Sequence, residues 1–149
     1  MRIRFLLPLA VVFFPAMAVA DSCEFTIGSA DSMSFDTRSI VVPASCESFT
    51  VTLQHNGRLP KTGMGHNWVL TRNADTTDVA RAGASAGIAN DFLPQDDSRI
   101  IAATPIIGGG ESASVTFETA LLSKDESYTY FCSFPGHSAM MRGSLTLAD

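Results

Sequence analysis

The sequence predicts an all-β chain, a two-sheet antiparallel sandwich with one short inserted helix. Three observations predict it. Apolar and polar residues alternate with a period of two in several short runs, the signature of half-buried strands. Turn chemistry recurs between those runs, at Asn56-Gly57, Gly108-Gly109-Gly110 and Pro135-Gly136. Only one stretch has helical composition. Short strands separated by frequent turns pack best as two layers around one core.

In chain order, residues 24–27 and 39–42 are strand candidates. Phe49, Val51 and Leu53 then alternate with Thr50, Thr52 and Gln54, placing one apolar face toward a core. The runs 67–71 and 99–103 are further strands. Between them 75–87 dissents, because it is rich in Ala, opens on Asp75 and closes on Gly87, so it reads as a short helix. Val115 and Phe117 alternate with Ser114, Thr116 and Glu118, an aromatic strand covers 128–132, and Leu145 and Leu147 alternate with Ser144 and Thr146.

With 149 residues, 46% of them hydrophobic and 17% charged, the chain suffices for one domain with a real core and argues against a multidomain enzyme. A formal charge of −5 and the lack of any Lys/Arg cluster argue against nucleic-acid binding, which needs basic patches to neutralise phosphates. Residues 1–20 read as a secretory signal peptide: Arg2 and Arg4 form the positive start, an apolar run follows from Phe5, and Ala18-Val19-Ala20 supplies the small-residue cleavage pattern. That run is too short for the roughly 20 residues of a spanning helix. The expected product is therefore residues 21–149, one soluble domain without a membrane span, in the periplasm if the source is bacterial.

An exported chain enters an oxidising space, so Cys23, Cys46 and Cys132 are one pair and one remainder, with three pairings open on paper. Cys23 and Cys46 sit in strand-like contexts without metal-ligating neighbours, whereas Cys132 lies five residues before His137. We pair Cys23 with Cys46, a loop closure worth about 3.5 kcal/mol in the chain-entropy model. Cys132 is left as a thiol that something else must occupy.

The run Cys132-Ser133-Phe134-Pro135-Gly136-His137-Ser138-Ala139-Met140-Met141 brings a thiolate, an imidazole and a thioether into one loop around a Pro-Gly turn. A second imidazole, His66, lies in Met64-Gly65-His66-Asn67-Trp68, where it opens an apolar strand. Two imidazoles, a thiolate and a weak thioether are the donor set of a blue-copper electron-transfer site. Structural zinc favours several thiolates, and only one is free here. A catalytic Cys–His dyad would need an orienting acid and an oxyanion hole, neither of which can be pointed to. A lone Cys or Met is ordinarily core filler, but their coincidence with His137 in ten residues outweighs that reading. A copper carrier or storage protein without an electron-transfer role is the alternative, although trafficking favours exchangeable Met- or His-rich donors. A purely adhesive sandwich leaves Cys132 unexplained, and lipid on Cys23 would strand Cys46.

On these two runs the sequence resembles the azurin branch of the blue-copper cupredoxin family. The likeness extends over essentially all of residues 21–149, including Asp96-Asp97-Ser98-Arg99 and the N-terminal cysteine pair. It implies copper held by His66, Cys132 and His137, with Met141 a distant axial ligand and the Gly65 carbonyl opposite it. It implies an eight-stranded Greek-key β-sandwich with Trp68 in the core. It implies a soluble carrier, not an enzyme, passing single electrons between periplasmic redox proteins such as c-type cytochromes, nitrite reductase or amine dehydrogenases. Asn67 would hydrogen-bond across to the copper loop, the Phe134 amide would point at the Cys132 sulfur, and His55 would be a noncoordinating histidine near the metal. Partner docking would use Met33, Leu59 and Met64 by resemblance, with Phe134, Pro135, Ala139 and Met140 from the ligand loop itself. Residues 127–141 carry no charge, as a fast-dissociating contact requires. The sequence departs from the usual pattern at Gly63 and Met140.

Overall fold

The structure, a computed structural model, describes residues 22–148, so the leader expected at 1–20 lies outside the described residues. The strands are β1 (Glu24–Ala30), β2 (Ser32–Phe35), β3 (Ser39–Val42), β4 (Ser48–His55), β5 (Val69–Arg72), β6 (Ile100–Ala103), β7 (Ser112–Glu118), β8 (Tyr128–Phe131) and β9 (Arg142–Leu147). Two helices join them, a single turn α1 (Lys61–Met64) and the longer α2 (Thr76–Ala86). No helix of the described residues is long and apolar enough to cross a membrane.

The strands form two sheets, ordered β2-β1-β4-β7 and β3-β9-β8-β5-β6, with the core between them. Alternation decides which side chains enter it. On β4, Phe49, Val51 and Leu53 are buried, while Thr50 and Thr52 face outward and meet Thr116 and Ser114 of β7, hydroxyl to hydroxyl at 2.8 Å. Strand β8 does not alternate: Tyr128, Thr129, Tyr130 and Phe131 are all buried. The reason is α2, whose Val79 packs with Val69 and Phe131 on the outer face of the second sheet, so this strand is covered on both sides.

The architecture is the expected sandwich, with three differences from the sequence reading. It is not wholly antiparallel, because β1 runs parallel to β4 and β3 parallel to β9. The chain changes sheet between these partners, and a strand reached by crossing over can return in the same direction. The described residues form nine strands rather than eight: β2 buries only Phe35 of its four residues and so shows no period. The single turn α1 buries none of its residues and was not legible either. The inserted helix spans Thr76–Ala86 within the expected 75–87, ended by Gly87 at φ 77°, a left-handed region that glycine enters without strain.

Cys23 and Cys46 are joined in a disulfide that ties the start of β1 to the segment leading into β4, and Cys132 is free and buried. Trp68 is fully buried between Phe117 and Tyr130, with ring centroids 6.3 and 5.8 Å away and near-parallel planes. Its indole N–H has no hydrogen-bond partner among the described residues. As Trp68 is the only tryptophan, its fluorescence reports this site alone. Emission of the metal-free folded protein is expected far to the blue of free tryptophan, moving to the solvated wavelength in one step on denaturation. A native maximum near that of exposed indole would show that water reaches the ring. Trp68→Ala is expected to cost about 3–5 kcal/mol in chemical denaturation.

Candidate metal centre

Three segment ends meet at one end of the sandwich. Pairing of β5 with β8 sets Val69 opposite Phe131, so the residues just before β5 lie beside those just after β8. Pairing of β8 with β9 sets Phe131 opposite Arg142, which brings Met141 to the same place. His66, Cys132, His137 and Met141 are thereby gathered from positions as far apart as 66 and 141. All four are buried.

The donor atoms of His66, Cys132 and His137 lie within 4.8 Å of one another. Cys132 Sγ is 3.9 Å from His66 Nδ1 and 3.6 Å from His137 Nδ1. Nitrogen and sulfur donors bound at about 2.0 and 2.3 Å in a trigonal plane stand about 3.7 Å apart, so the spacing fits one transition-metal ion between them. The Gly65 carbonyl oxygen is 4.0 Å from the same sulfur. A side chain at position 65 would run into the Lys61 carbonyl and Ile106, so only glycine lets that backbone come so close. Met141 holds the loop closed from the other side, its carbonyl accepting from Cys132 N at 3.0 Å and its N–H donating to His137 O at 2.8 Å.

The surroundings fix each donor. His66 donates Nε2–H to the Ala30 carbonyl at 2.8 Å, which leaves Nδ1 bare and facing the sulfur. Its backbone is pinned by a two-way bridge to Ile107. Asn67 spans the ligand segments: its Oδ1 accepts Ser133 N at 2.8 Å, and its Nδ2 donates to Ser133 Oγ at 2.7 Å and to Asp91 O at 3.1 Å. Backbone N–H groups of Asn67 and Phe134 point at the Cys132 sulfur. The Phe134 ring stacks on His137 at 4.6 Å and is itself met edge-on by Phe92 at 5.1 Å. His55 stacks on His66 at 4.6 Å, donates Nε2–H to Met64 O and accepts Gly57 N–H at Nδ1.

Burial dominates the electrostatics. It pushes the Cys132 thiol up to about 11, against the smaller opposing pull of the Asn67 and Phe134 amides. It lowers His66 to about 4, with the Ala30 hydrogen bond acting the other way, and lowers His137 as well. Without metal the site is therefore a neutral thiol between two neutral imidazoles.

Of the residues singled out for docking, Met33, Leu59, Pro135, Ala139 and Met140 are exposed, and Met64 and Phe134 are partly so. Asp31 joins two of the segments that carry them, its carboxylate accepting Leu59 N at 3.0 Å and Arg58 N at 2.8 Å. Those bonds hold its pKa below the usual carboxylate value. The sequence reading missed Ala30, Asp91, Phe92 and Ser133. Their contributions are a carbonyl, a left-handed backbone at Asp91 and Phe92 (φ 54° and 52°) and a turn hydroxyl, none of which leaves a periodic or spacing signal.

Comparison with known proteins agrees with this geometry. A family model described as copper binding proteins, plastocyanin/azurin family, matches residues 21–148. Azurin iso-2 of Methylomonas sp. strain J is 61% identical over 128 residues, covering 86% of this chain and 99% of that protein. The azurin of Methylobacillus flagellatus is 52% identical over 141 residues, covering 94% and 95%. A solved structure of the Methylomonas azurin iso-2 superposes with a TM-score of 0.84 at 60% identity, covering 87% of this chain and all of that one.

The titration states give a testable number. Below pH 11 the apoprotein holds one proton on Cys132, while His66 is neutral down to about pH 4, so loading at pH 7 expels one proton per ion. Apparent affinity is expected to rise about tenfold per pH unit between pH 7 and 10. Zn(II) titration in weak buffer with a pH indicator measures the release. No release would mean an already ionised thiol, and two protons would mean a charged imidazole.

Proposed function

The chain belongs to the plastocyanin/azurin family of copper-binding proteins, and with its type 1 copper site as premise we propose that it carries single electrons between redox partners. In this reading His66, Cys132 and His137 would hold the ion closely, with the Met141 thioether and the Gly65 carbonyl as weaker donors. The observation that carries it is three buried donors within 4.8 Å of one another, with His137 in a loop that carries no charged residue from 127 to 141 and exposes Pro135, Ala139 and Met140. Copper held there supplies a one-electron couple between Cu(I) and Cu(II).

What the chain contributes is rigidity, dryness and a path. Neutral imidazoles and one thiolate suit both oxidation states, so little rearrangement is needed when the charge changes. Asn67, Asp91 and Ser133 lock the two ligand segments together, which resists such rearrangement further. His137 lies beneath Phe134 within the loop that also exposes Pro135, Ala139 and Met140, so an electron would leave through its ring. Met33, Leu59 and Met64 would extend this contact, and an apolar contact of modest size suits a partner that must dissociate quickly. In this reading the protein acts as a carrier rather than an enzyme.

Location and partners complete the proposal. Residues 1–20 direct the chain to the periplasm and are removed, leaving 21–149 as the working domain. The disulfide between Cys23 and Cys46 suits that oxidising space. The partners are periplasmic redox proteins such as c-type cytochromes, nitrite reductase or amine dehydrogenases.

Two substitutions test the ligand roles. Cys132→Ser is expected to fold but to show no intense visible band with Cu(II), since that band is thiolate-to-copper charge transfer; a variant that stays blue overturns the assignment. Met141→Leu should remain blue while its reduction potential rises, because a drier, donor-poorer shell costs Cu(II) more than Cu(I). Each 1.4 kcal/mol of that difference is about 59 mV for a one-electron couple, well within reach of cyclic voltammetry. A lowered potential, or loss of colour, would remove Met141 from the axial place.

A further inference from the structure

The ligand loop carries no charge from 127 to 141, but the side of it next to α2 is flanked by cations. A cleft of about 380 Å³ opens between α2 and the turn His137–Ala139, lined by Thr76, Thr77, Ala80, Arg81, Ser138, Ala139 and Arg142. Thr76, Thr77, Ala80 and Arg81 are one face of α2, and Arg142 is the first residue of β9, directly after Met141. The lining therefore holds two guanidinium groups and no carboxylate. Ala139, in its wall, belongs to the exposed face.

Both arginines are open to a new acceptor, as the tightly paired Arg99 is not. Arg99 is locked to Asp97 at 2.5 Å, with the carboxylate largely shielded, and Arg72 faces Glu126 at 3.9 Å. Arg142 is exposed and makes no ion pair or side-chain hydrogen bond among the described residues. Arg81 touches only Asp78, its neighbour on the same helix, at 3.2 Å with both side chains mostly in solvent. An exposed pair of that kind is worth little and exchanges readily for a better acceptor. These charges sit on a chain whose formal charge is −7 once the two leader arginines are discounted. Carboxylates are plentiful elsewhere: Glu47 and Glu118, for example, line another cleft together with Cys46 and Leu147.

We propose that the cleft between α2 and the His137–Ala139 turn is the charged anchor of the docking face, where Arg81 and Arg142 receive a carboxylate from a redox partner whose contact surface is apolar with an acidic edge. The proposal rests on the electron-carrier reading and adds to it the partner's chemistry and orientation. Guanidinium groups suit the task because their planar fork binds a carboxylate in two places and so fixes direction as well as sign. An apolar patch alone leaves rotation about its normal free; one charge pair at its edge restricts that rotation. Because the pair is at the rim, it acts on encounter more than on lifetime, and the complex still dissociates fast.

Salt dependence tests it, since net charge and local charge predict opposite signs. The copper-loaded protein is mixed in stopped flow with an acidic c-type cytochrome and, separately, with a basic one, over ionic strengths from about 10 to 200 mM, a range across which the screening length falls severalfold. With the acidic cytochrome the rate is expected to fall as salt rises, although both proteins are net negative. Arg142→Glu should reduce the low-salt rate about tenfold and reverse the slope, with Arg81→Gln giving a smaller loss. The blue band should not change in either variant, and the potential, measured alongside, should fall only slightly in Arg142→Glu through the added negative charge. Backbone amide shifts of the Cu(I) protein titrated with the acidic cytochrome should centre on Ser138 to Arg142 and the first turns of α2. A rate that rises with salt, or an Arg142→Glu rate equal to the parent's, overturns the anchor while leaving electron transfer intact. Failure of electron exchange with both cytochromes and in self-exchange would overturn the carrier reading, and the anchor with it.

Discussion

Everything at the metal end depends on the pairing of β5 with β8. These neighbours in the second sheet fix the segment around His66 against the segment around Cys132, and no contact local in sequence could do so. A slip of one residue would exchange the two faces of a strand and carry Leu70 and Tyr130 out of the core. Asn67 then reads the same register from outside the ladder: both ends of its amide engage Ser133, so it fits only when the strands are aligned. The core supplies the restoring force, because Trp68 and Tyr130 stack on each other from these same two segments.

The site is an unfavourable place to put polar groups, and the surrounding hydrogen bonds show how the cost is contained. A buried imidazole with an unpaired N–H would be penalised by a few kcal/mol. His66 avoids that through Ala30, and the adjacent His55 through Met64. The sulfur receives two backbone N–H groups, which favour the thiolate without bringing a competing charge. Burial and hydrogen bonding thus pull the thiol in opposite directions, and burial wins until a cation is present. The fold pre-forms the donor positions and leaves the final ionisation to the metal.

How much of this was legible in the sequence follows from distance along the chain. The alternation at 49–53 and 145–147 reported strands because one face of each is wet. Strand β8 was legible through its aromatic content instead, since α2 hides the outer face that would have produced a period. Cys132 and His137 lie five residues apart, so their convergence could be read from spacing and donor chemistry alone. His66 could be grouped with them by donor type, but its nearness is a fact of strand pairing between segments some 60 residues apart, and the Gly65 carbonyl was reachable only through resemblance. The parallel pairs β1/β4 and β3/β9 lay beyond any local pattern, and so did Arg81 and Arg142, whose side chains line one cleft although 61 residues separate them.

At Gly65 the molecule is closed to evolutionary drift in a way it is not at Met141. A thioether can be exchanged for another side chain by a change of codon, and the metal's surroundings then vary by small steps. The group that Gly65 presents is the peptide itself, which no substitution removes, while the space above its Cα is already taken by Lys61 and Ile106. Mutation there cannot adjust the contact; it can only break it. In the site proposed above, variation among descendants of this chain would thus be channelled away from Gly65, and differences in electron affinity should accumulate on the Met141 side.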